Sequence, residues 1–311
     1  MTLDVNEHSG SRFAAFVGKN DGLIKNCVNN GNITINTQKR SGNVYIGAFS
    51  GNANPRNQLA AGEAVTFENL LGFDNCTNNG DITYYCNSTG GYVAVGGIGN
   101  STTVALTSGS GKTDDPIVIL DHTTFQRCNF RNCTNTGDIK VTITNGGSMA
   151  ENAGTAGSGN YTNVGGCVGF AMGELVNCDN SGAVTFNIPT NESSACMSRP
   201  AVGGVAGYVW KSMADCDNSG AITVKGSFAN GGTSNAGAGN HGGASFGGVV
   251  GQIGPMVAEE SFAMTNCKNS GVLKFQSWMA SGNGSGSYLG GVAGYSTVKM
   301  SDCTNNGKTL I

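Results

Sequence analysis

Charge, proline, aromatic rings and histidine are all scarce in this 311-residue chain. Charged residues make up 12% of it and aromatic residues 7%, with 5 prolines, 3 histidines and a net charge of −3. Without an excess of Lys and Arg there is no basic stripe, so nucleic acid is excluded as a partner. No apolar run approaches the length that spans a bilayer. The opening Met1-Thr-Leu-Asp-Val-Asn has no charged region followed by an apolar one, so it does not read as a signal peptide. His8, His122 and His241 stand apart and no Cys-x-x-Cys occurs, so no metal site is expected and no cofactor is implied. Few stretches escape Gly, Asn and Ser for long enough to carry a helix.

Glycine and cysteine are abundant, at 51 and 11 residues, and both recur in order. Seven copies of Asn/Asp-Cys-x-Asn-x-Gly occur, with cysteines Cys27, Cys76, Cys133, Cys178, Cys216, Cys267 and Cys303. The asparagines two residues on are Asn29, Asn78, Asn135, Asn180, Asn218, Asn269 and Asn305. Three residues before each cysteine is an apolar side chain: Ile24, Phe73, Phe130, Leu175, Met213, Met264 or Met300. A second half-repeat precedes each, cleanest as Val202-Gly-Gly-Val-Ala-Gly207 and Leu289-Gly-Gly-Val-Ala-Gly294. Alanine replaces glycine in the first two copies, and the third, Gly97-Ile-Gly99, reads as one residue short. Repeats of this period signify a stacked architecture.

Each copy reads as three short strands. The glycine run is one, the segment ending at cysteine is the second, and a β-branched run such as Ile222-Thr-Val224 is the third. Asn followed two residues later by Gly suits a tight turn, because both tolerate positive φ, and a positive φ is expected at Gly220. Stacked coils about 4.8 Å apart would pair as parallel sheets. The expected fold is therefore all-β, a parallel β-helix (β-solenoid) of about seven coils, forming one elongated domain over 1–311. Equivalent residues would then form ladders. Asparagine amides would bond along the axis, and the cysteines would be small buried hydrophobes with free thiols. If Met213 and Cys216 both face inward, their strand must bend between them.

Insertions lie near 52–71, 100–126 and 252–261 on one side of the coil, and near 145–163, 187–199, 226–244 and 277–287 on the other. They predict two rows of inserted loops, the places where a repeat protein commonly binds. Cys86, Cys128, Cys167 and Cys196 lie off the cysteine column.

The pairing of Gly-Gly-Val-Ala-Gly strands with Asn-Cys-x-Asn-x-Gly-x-Ile turns resembles the GLUG-type repeats of bacterial cell-surface proteins. Such repeats are abundant in gut Bacteroidetes and occur in large adhesins and IgA-protease-like exoproteins. The resemblance covers roughly residues 13–311. It implies a secreted or surface-anchored solenoid serving as a stalk or adhesive module, with the signal or anchor outside this fragment. Its partners would be a host protein or glycan at the cell surface, and further repeats of the same chain.

No catalytic residues are expected. A carbohydrate-active β-helix enzyme, the alternative, needs clustered carboxylates on one face. Asp179, Asp215, Asp217 and Asp302 flank turn cysteines, while Asp114-Asp115 and Glu259-Glu260 fall in insertions, so turn or solvated roles account for both groups. Aromatics give the better ligand-binding candidates: Tyr208 and Tyr295 follow the last glycine of their strands, Trp210 comes two residues later, and Trp278 and Tyr288 flank a return loop. Exposed rings of this kind can stack on sugars or protein partners.

Overall fold

A computed structural model describes residues 1–8, 10–40, 42–55, 66–87, 92–101, 128–144, 162–188, 200–226, 244–254, 261–277 and 287–311. Within them the chain is a stacked series of coils with 34 strands in four sheets of 8, 12, 7 and 7 strands. Every strand pairing is parallel and joins one coil to the next, as at Val184↔Ile222 and Ile222↔Leu273. The parallel β-helix follows directly from this topology.

Each coil has four strand segments rather than three. In the fifth coil these are Ala201–Gly203, Ala206–Val209, Met213–Ala214 continuing through Asp217–Asn218, and Ile222–Gly226. The glycine run, read above as one strand, is two strands meeting at a corner. The corner exists because the second glycine of each pair lies directly against a ladder asparagine. A Cβ at Gly204 would collide with the side chain of Asn218, and one at Gly166 with that of Asn180.

The cysteine segment bends where the inward-facing requirement demands it. Met213 and Cys216 are both fully buried. Between them Asp215 has φ 54°, and the equivalent Asn26, Asn75, Asn132, Asn177, Asn266 and Asp302 share this left-handed conformation. Asn and Asp tolerate it best among residues with a Cβ, which explains why this position is never anything else. Gly220 does not have positive φ; among the described glycines only Gly10, Gly226 and Gly254 do. Gly220 is required for a different reason: a Cβ there would meet the Gly182 carbonyl oxygen of the preceding coil. The third copy is also complete. Gly99 pairs with Ser50 and Val168, so Asn100 occupies the place of the last glycine. Its buried amide donates to the carbonyl of Ile46 at 2.9 Å, and its Oδ1 accepts the Phe170 N–H at 3.1 Å.

Two columns run the length of the solenoid. Nδ2 of Asn29, Asn78, Asn135, Asn180, Asn218 and Asn269 each donates to Oδ1 of the next asparagine, at 2.7–2.9 Å. The same nitrogens donate to the carbonyl of the turn glycine two residues on, as Asn180 does to Gly182 at 2.8 Å. Buried amides thereby find partners in their own turn and in the neighbouring coil. Beside them stand the cysteines, all free: Cys76, Cys133, Cys178, Cys216 and Cys267 are buried, and Cys27 and Cys303, on the outermost coils, are half-buried. Burial pushes the Cys178 thiol well above its ordinary pKa, and does the same at off-column Cys128 and Cys167. Cys196 lies outside the described residues. The central core is aliphatic and aromatic, including the stacked pair Phe73 and Phe130 at 4.8 Å.

One charge cluster interrupts this apolar and amide architecture. Lys25, Asp74 and Arg131 are register partners on three successive coils. The buried Asp74 carboxylate takes Nε and Nη2 of Arg131, both at 3.1 Å, and Nζ of Lys25 at 2.9 Å. Arg131 also reaches Glu68 at 2.5 Å. The Arg131 hydrogen bonds hold the Asp74 carboxyl down at about 2, against the opposing effect of burial. A folded pKa below the unfolded value contributes stability that is complete above about pH 4 and disappears as pH falls towards about 2. The shift is worth about 2 kcal/mol. Urea midpoints compared at pH 6 and pH 2.5 should therefore fall further in the wild type than in Asp74→Asn, which cannot titrate at this site. Equal falls would show that Asp74 does not supply the acid sensitivity.

Candidate ligand-binding face

The glycine sheets carry a second apolar cluster, separate from the core. Within Val168–Ala171 and Ala206–Val209, Val168, Ala171, Ala206 and Val209 join the central core, whereas Phe170 and Tyr208 join the second cluster, each facing opposite to the residue that follows it. The cluster contains Tyr45, Ala94, Phe170 and Met172, with Tyr92, Tyr208 and Trp210 partly buried against it. Ring centroids follow one another at 5.7 Å from Tyr45 to Tyr92 and from Tyr92 to Phe170, 5.2 Å on to Tyr208 and 6.1 Å on to Trp210. The Arg12 guanidinium lies over the Tyr45 ring, 5.9 Å from its centroid, extending the row to the first coil.

Towards the last coil the row continues by register. Phe170 pairs with Tyr208, Tyr208 with Gln252, and Gln252 with Tyr295. Tyr288 packs on Tyr295 with centroids 5.2 Å apart. Two of the expected binding residues, Tyr208 and Trp210, are thus brought together, and Tyr288 and Tyr295 form a second pair. Gln252 stands between the two pairs. The Tyr208 hydroxyl donates to the Gly254 carbonyl at 3.2 Å, and burial pushes the Tyr295 hydroxyl pKa up. All four side chains are half-buried. Trp278 lies outside the described residues, as do Asp114, Asp115, Glu259 and Glu260.

Arg12, Tyr45, Tyr92 and Gln252 belong to this face and were not anticipated. The signal was present: counting five residues on from the first glycine of each pair aligns Phe170, Tyr208, Gln252 and Tyr295 in one column. Counting two back aligns Tyr45 with Tyr288.

A second, polar feature lies over the turns of the later coils. A shallow groove of about 370 Å³ is lined by Asp179, Asp217 and Lys268 in one column and by Ser181, Ser219, Ser270 and Asn306 in the next. Asp179 Oδ1 accepts the Asp217 N–H at 3.0 Å, and Asp217 Oδ1 accepts the Lys268 N–H at 3.1 Å. One oxygen of each carboxylate is therefore tied into the stacking of coils. Burial raises the Asp179 pKa, offset by the Asp217 N–H. Among the described residues no three His, Cys, Asp or Glu side chains converge to hold a metal ion, and no helix is long and apolar enough to cross a membrane.

Compared with protein-family models, with curated proteins and with solved structures, the chain gives no match in any of the three.

Proposed function

We propose that this chain is a non-catalytic structural and adhesive module of a secreted or surface-anchored bacterial protein of GLUG-repeat type. It binds a glycan or host protein at the cell surface, through the aromatic row and the inserted loops. The row carries the proposal. A rigid parallel scaffold holds Tyr208 with Trp210 and Tyr295 with Tyr288 in one register, two coils apart, with the Gln252 amide between. Two coils span about 9.6 Å, a distance that lets one extended saccharide or peptide touch both pairs while it runs along the solenoid axis. Aromatic faces supply the apolar contact, and Gln252 supplies a donor and an acceptor.

A glycan array followed by calorimetry tests this. Wild-type protein should retain a ligand that Trp210→Ala and Tyr295→Ala each bind about tenfold more weakly, the loss of one stacking contact. Ligands held equally by all three proteins, or by none of them, would contradict the proposal.

The groove of Asp179, Asp217 and Lys268 favours a second reading, a carbohydrate-active β-helix enzyme. Asp179 and Asp217 stand on adjacent coils, whose strands lie about 4.8 Å apart, and retaining glycosidases carry two carboxylates about 5–5.5 Å apart. Release of reducing ends from the arrayed glycans, lost in Asp179→Asn, would support that reading over the first. Tethering of both carboxylates to backbone N–H groups favours the non-catalytic one.

A further inference from the structure

The two glycine sheets each turn one face to the central core and the other to the second apolar cluster. In Thr162–Gly165, Val164 joins the core, while Asn163 shares a register column with Tyr45 and Ala94 of the cluster. Across the corner, Val168 and Ala171 join the core and Phe170 the cluster. The outer faces of the two sheets therefore border a cleft along the axis, with the glycine corner at its base. They approach closely there: a Cβ at Gly207 would lie 2.6 Å from the Val164 nitrogen and 2.9 Å from the Ala201 carbonyl oxygen. Buried Tyr45, Phe170 and Met172 fill the cleft in the earlier coils. In the last three coils the first sheet contributes small Ala201 and Ser245, then Tyr288. The second contributes half-buried Tyr208, Gln252 and Tyr295.

We propose that this part of the cleft binds an uncharged, proline-rich polypeptide segment in the polyproline II conformation, lying along the solenoid axis. The inference rests on the aromatic row being a binding face, and it names the ligand. Pitch carries it. Tyr208 and Tyr295 are in register two coils apart, about 9.6 Å. A polyproline II helix advances about 9.3 Å per turn of three residues. Prolines at i and i+3 therefore meet the Tyr208–Trp210 and Tyr288–Tyr295 pairs from the same side. Three residues of a β-strand cover about 9.9 Å, but residues i and i+3 then point to opposite faces. An α-helix covers the distance in about six residues, and at about 100° per residue the sixth presents a different side.

The chemistry of the walls agrees with the pitch. Polyproline II makes no internal hydrogen bonds, so its carbonyls seek outside donors, and the Gln252 amide between the two pairs supplies one. Aromatic-lined grooves take proline rings against their faces, and the preformed helix loses little conformational entropy on docking. Charge matches as well. Ala201, Tyr208, Ser245, Gln252, Tyr288 and Tyr295 are all uncharged. Lys211, next to Trp210, is engaged by Glu174 at 3.2 Å and lies over the Phe262 ring. A neutral segment therefore fits where an acidic or basic one gains nothing. A saccharide brings several hydroxyls to each ring pair, every one needing a partner, whereas a proline ring needs only an apolar surface.

Fluorescence anisotropy of labelled hexaproline, two turns of the helix, tests the proposal on the full chain. Trp210→Ala and Tyr295→Ala should each bind it about tenfold more weakly than wild type. Tyr295→Phe keeps the ring and should bind as wild type does. Competition on wild-type protein needs no variant: triproline reaches a single ring pair and should displace the label about tenfold less well than hexaproline. Hexaproline held equally by wild type and Tyr295→Ala, or no more tightly than a Gly-Ser peptide of the same length, would overturn the proposal. Should hexaproline fail while the array yields a glycan lost in Trp210→Ala, the row stands as a binding face and the polyproline assignment alone falls. If neither binds, both fall.

Discussion

Gly220→Val is expected to lower stability by about 3 kcal/mol or more, among the largest effects of any single change in this chain. The cause is contact between coils rather than backbone strain. A Cβ at Gly220 would fall far inside contact distance of the Gly182 carbonyl oxygen and 2.8 Å from Nδ2 of Asn180. Neither group can give way. The Gly182 carbonyl is held by the Asn180 amide at 2.8 Å, and that amide is held by Asn218. The same clash recurs up the column, where Gly271 faces Gly220 and Gly307 faces Gly271. Gly220→Ala separates this cause from the positive-φ expectation. Alanine already carries the offending Cβ, so it should cost nearly as much as valine. A cost near 1 kcal/mol for alanine, the ordinary penalty for a left-handed residue, would show that the coils are not in close approach there.

Asn180→Ala should cost about 3–5 kcal/mol. It deletes three hydrogen bonds at once: from Asn180 to Gly182 at 2.8 Å, from Asn180 to Asn218 at 2.9 Å, and from Asn135 to Asn180 at 2.8 Å. The partners left behind lie in the buried interior, where water cannot replace the lost amide. Asn305→Ala should cost much less, because Asn305 is exposed on the last coil and its Oδ1 serves a single neighbour, Asn269. Urea unfolding of the two variants should therefore differ clearly in midpoint. Equal losses would mean that the ladder is not a continuous buried network.

The fold was legible because its grammar repeats. Position by position, Cys76 to Cys267 and Asn29 to Asn305 recur at one place in each turn, and a residue that recurs that faithfully has a neighbour above and below. The inward turn of both Met213 and Cys216 was also legible as a bend, since alternation forbids a straight strand from burying both. What escaped detection depends on contact between coils. The need for glycine at position 220 comes from Gly182, one coil away. The corner within the glycine run comes from asparagines of the cysteine segment pressing on Gly166 and Gly204. The left-handed residue turned out to be the Asn or Asp before cysteine, which the sequence marked by composition alone. The charge cluster is the clearest case. Lys25, Asp74 and Arg131 are 49 and 57 residues apart, and only the register of coils makes them neighbours. The aromatic face was half visible for the same reason: Tyr208, Trp210, Tyr288 and Tyr295 stood out as rings, but Gln252 and Tyr45 acquire meaning only from the columns they share.

Hydrogen exchange on Gly220→Val tests most directly that the chain is a stack of coils, each supported only by its neighbours. In such a stack stability is a sum of coil and interface contributions. Amides should lose protection in Leu175–Asn180, Val184–Asn187, Ile222–Gly226 and Leu273–Ser277, the strands of the damaged coil and its two neighbours. Protection should persist in Ile33–Arg40 and Ile82–Cys86, four and three coils away. Uniform loss from the first coil to the last would contradict the stacked-coil architecture and indicate a single cooperative core.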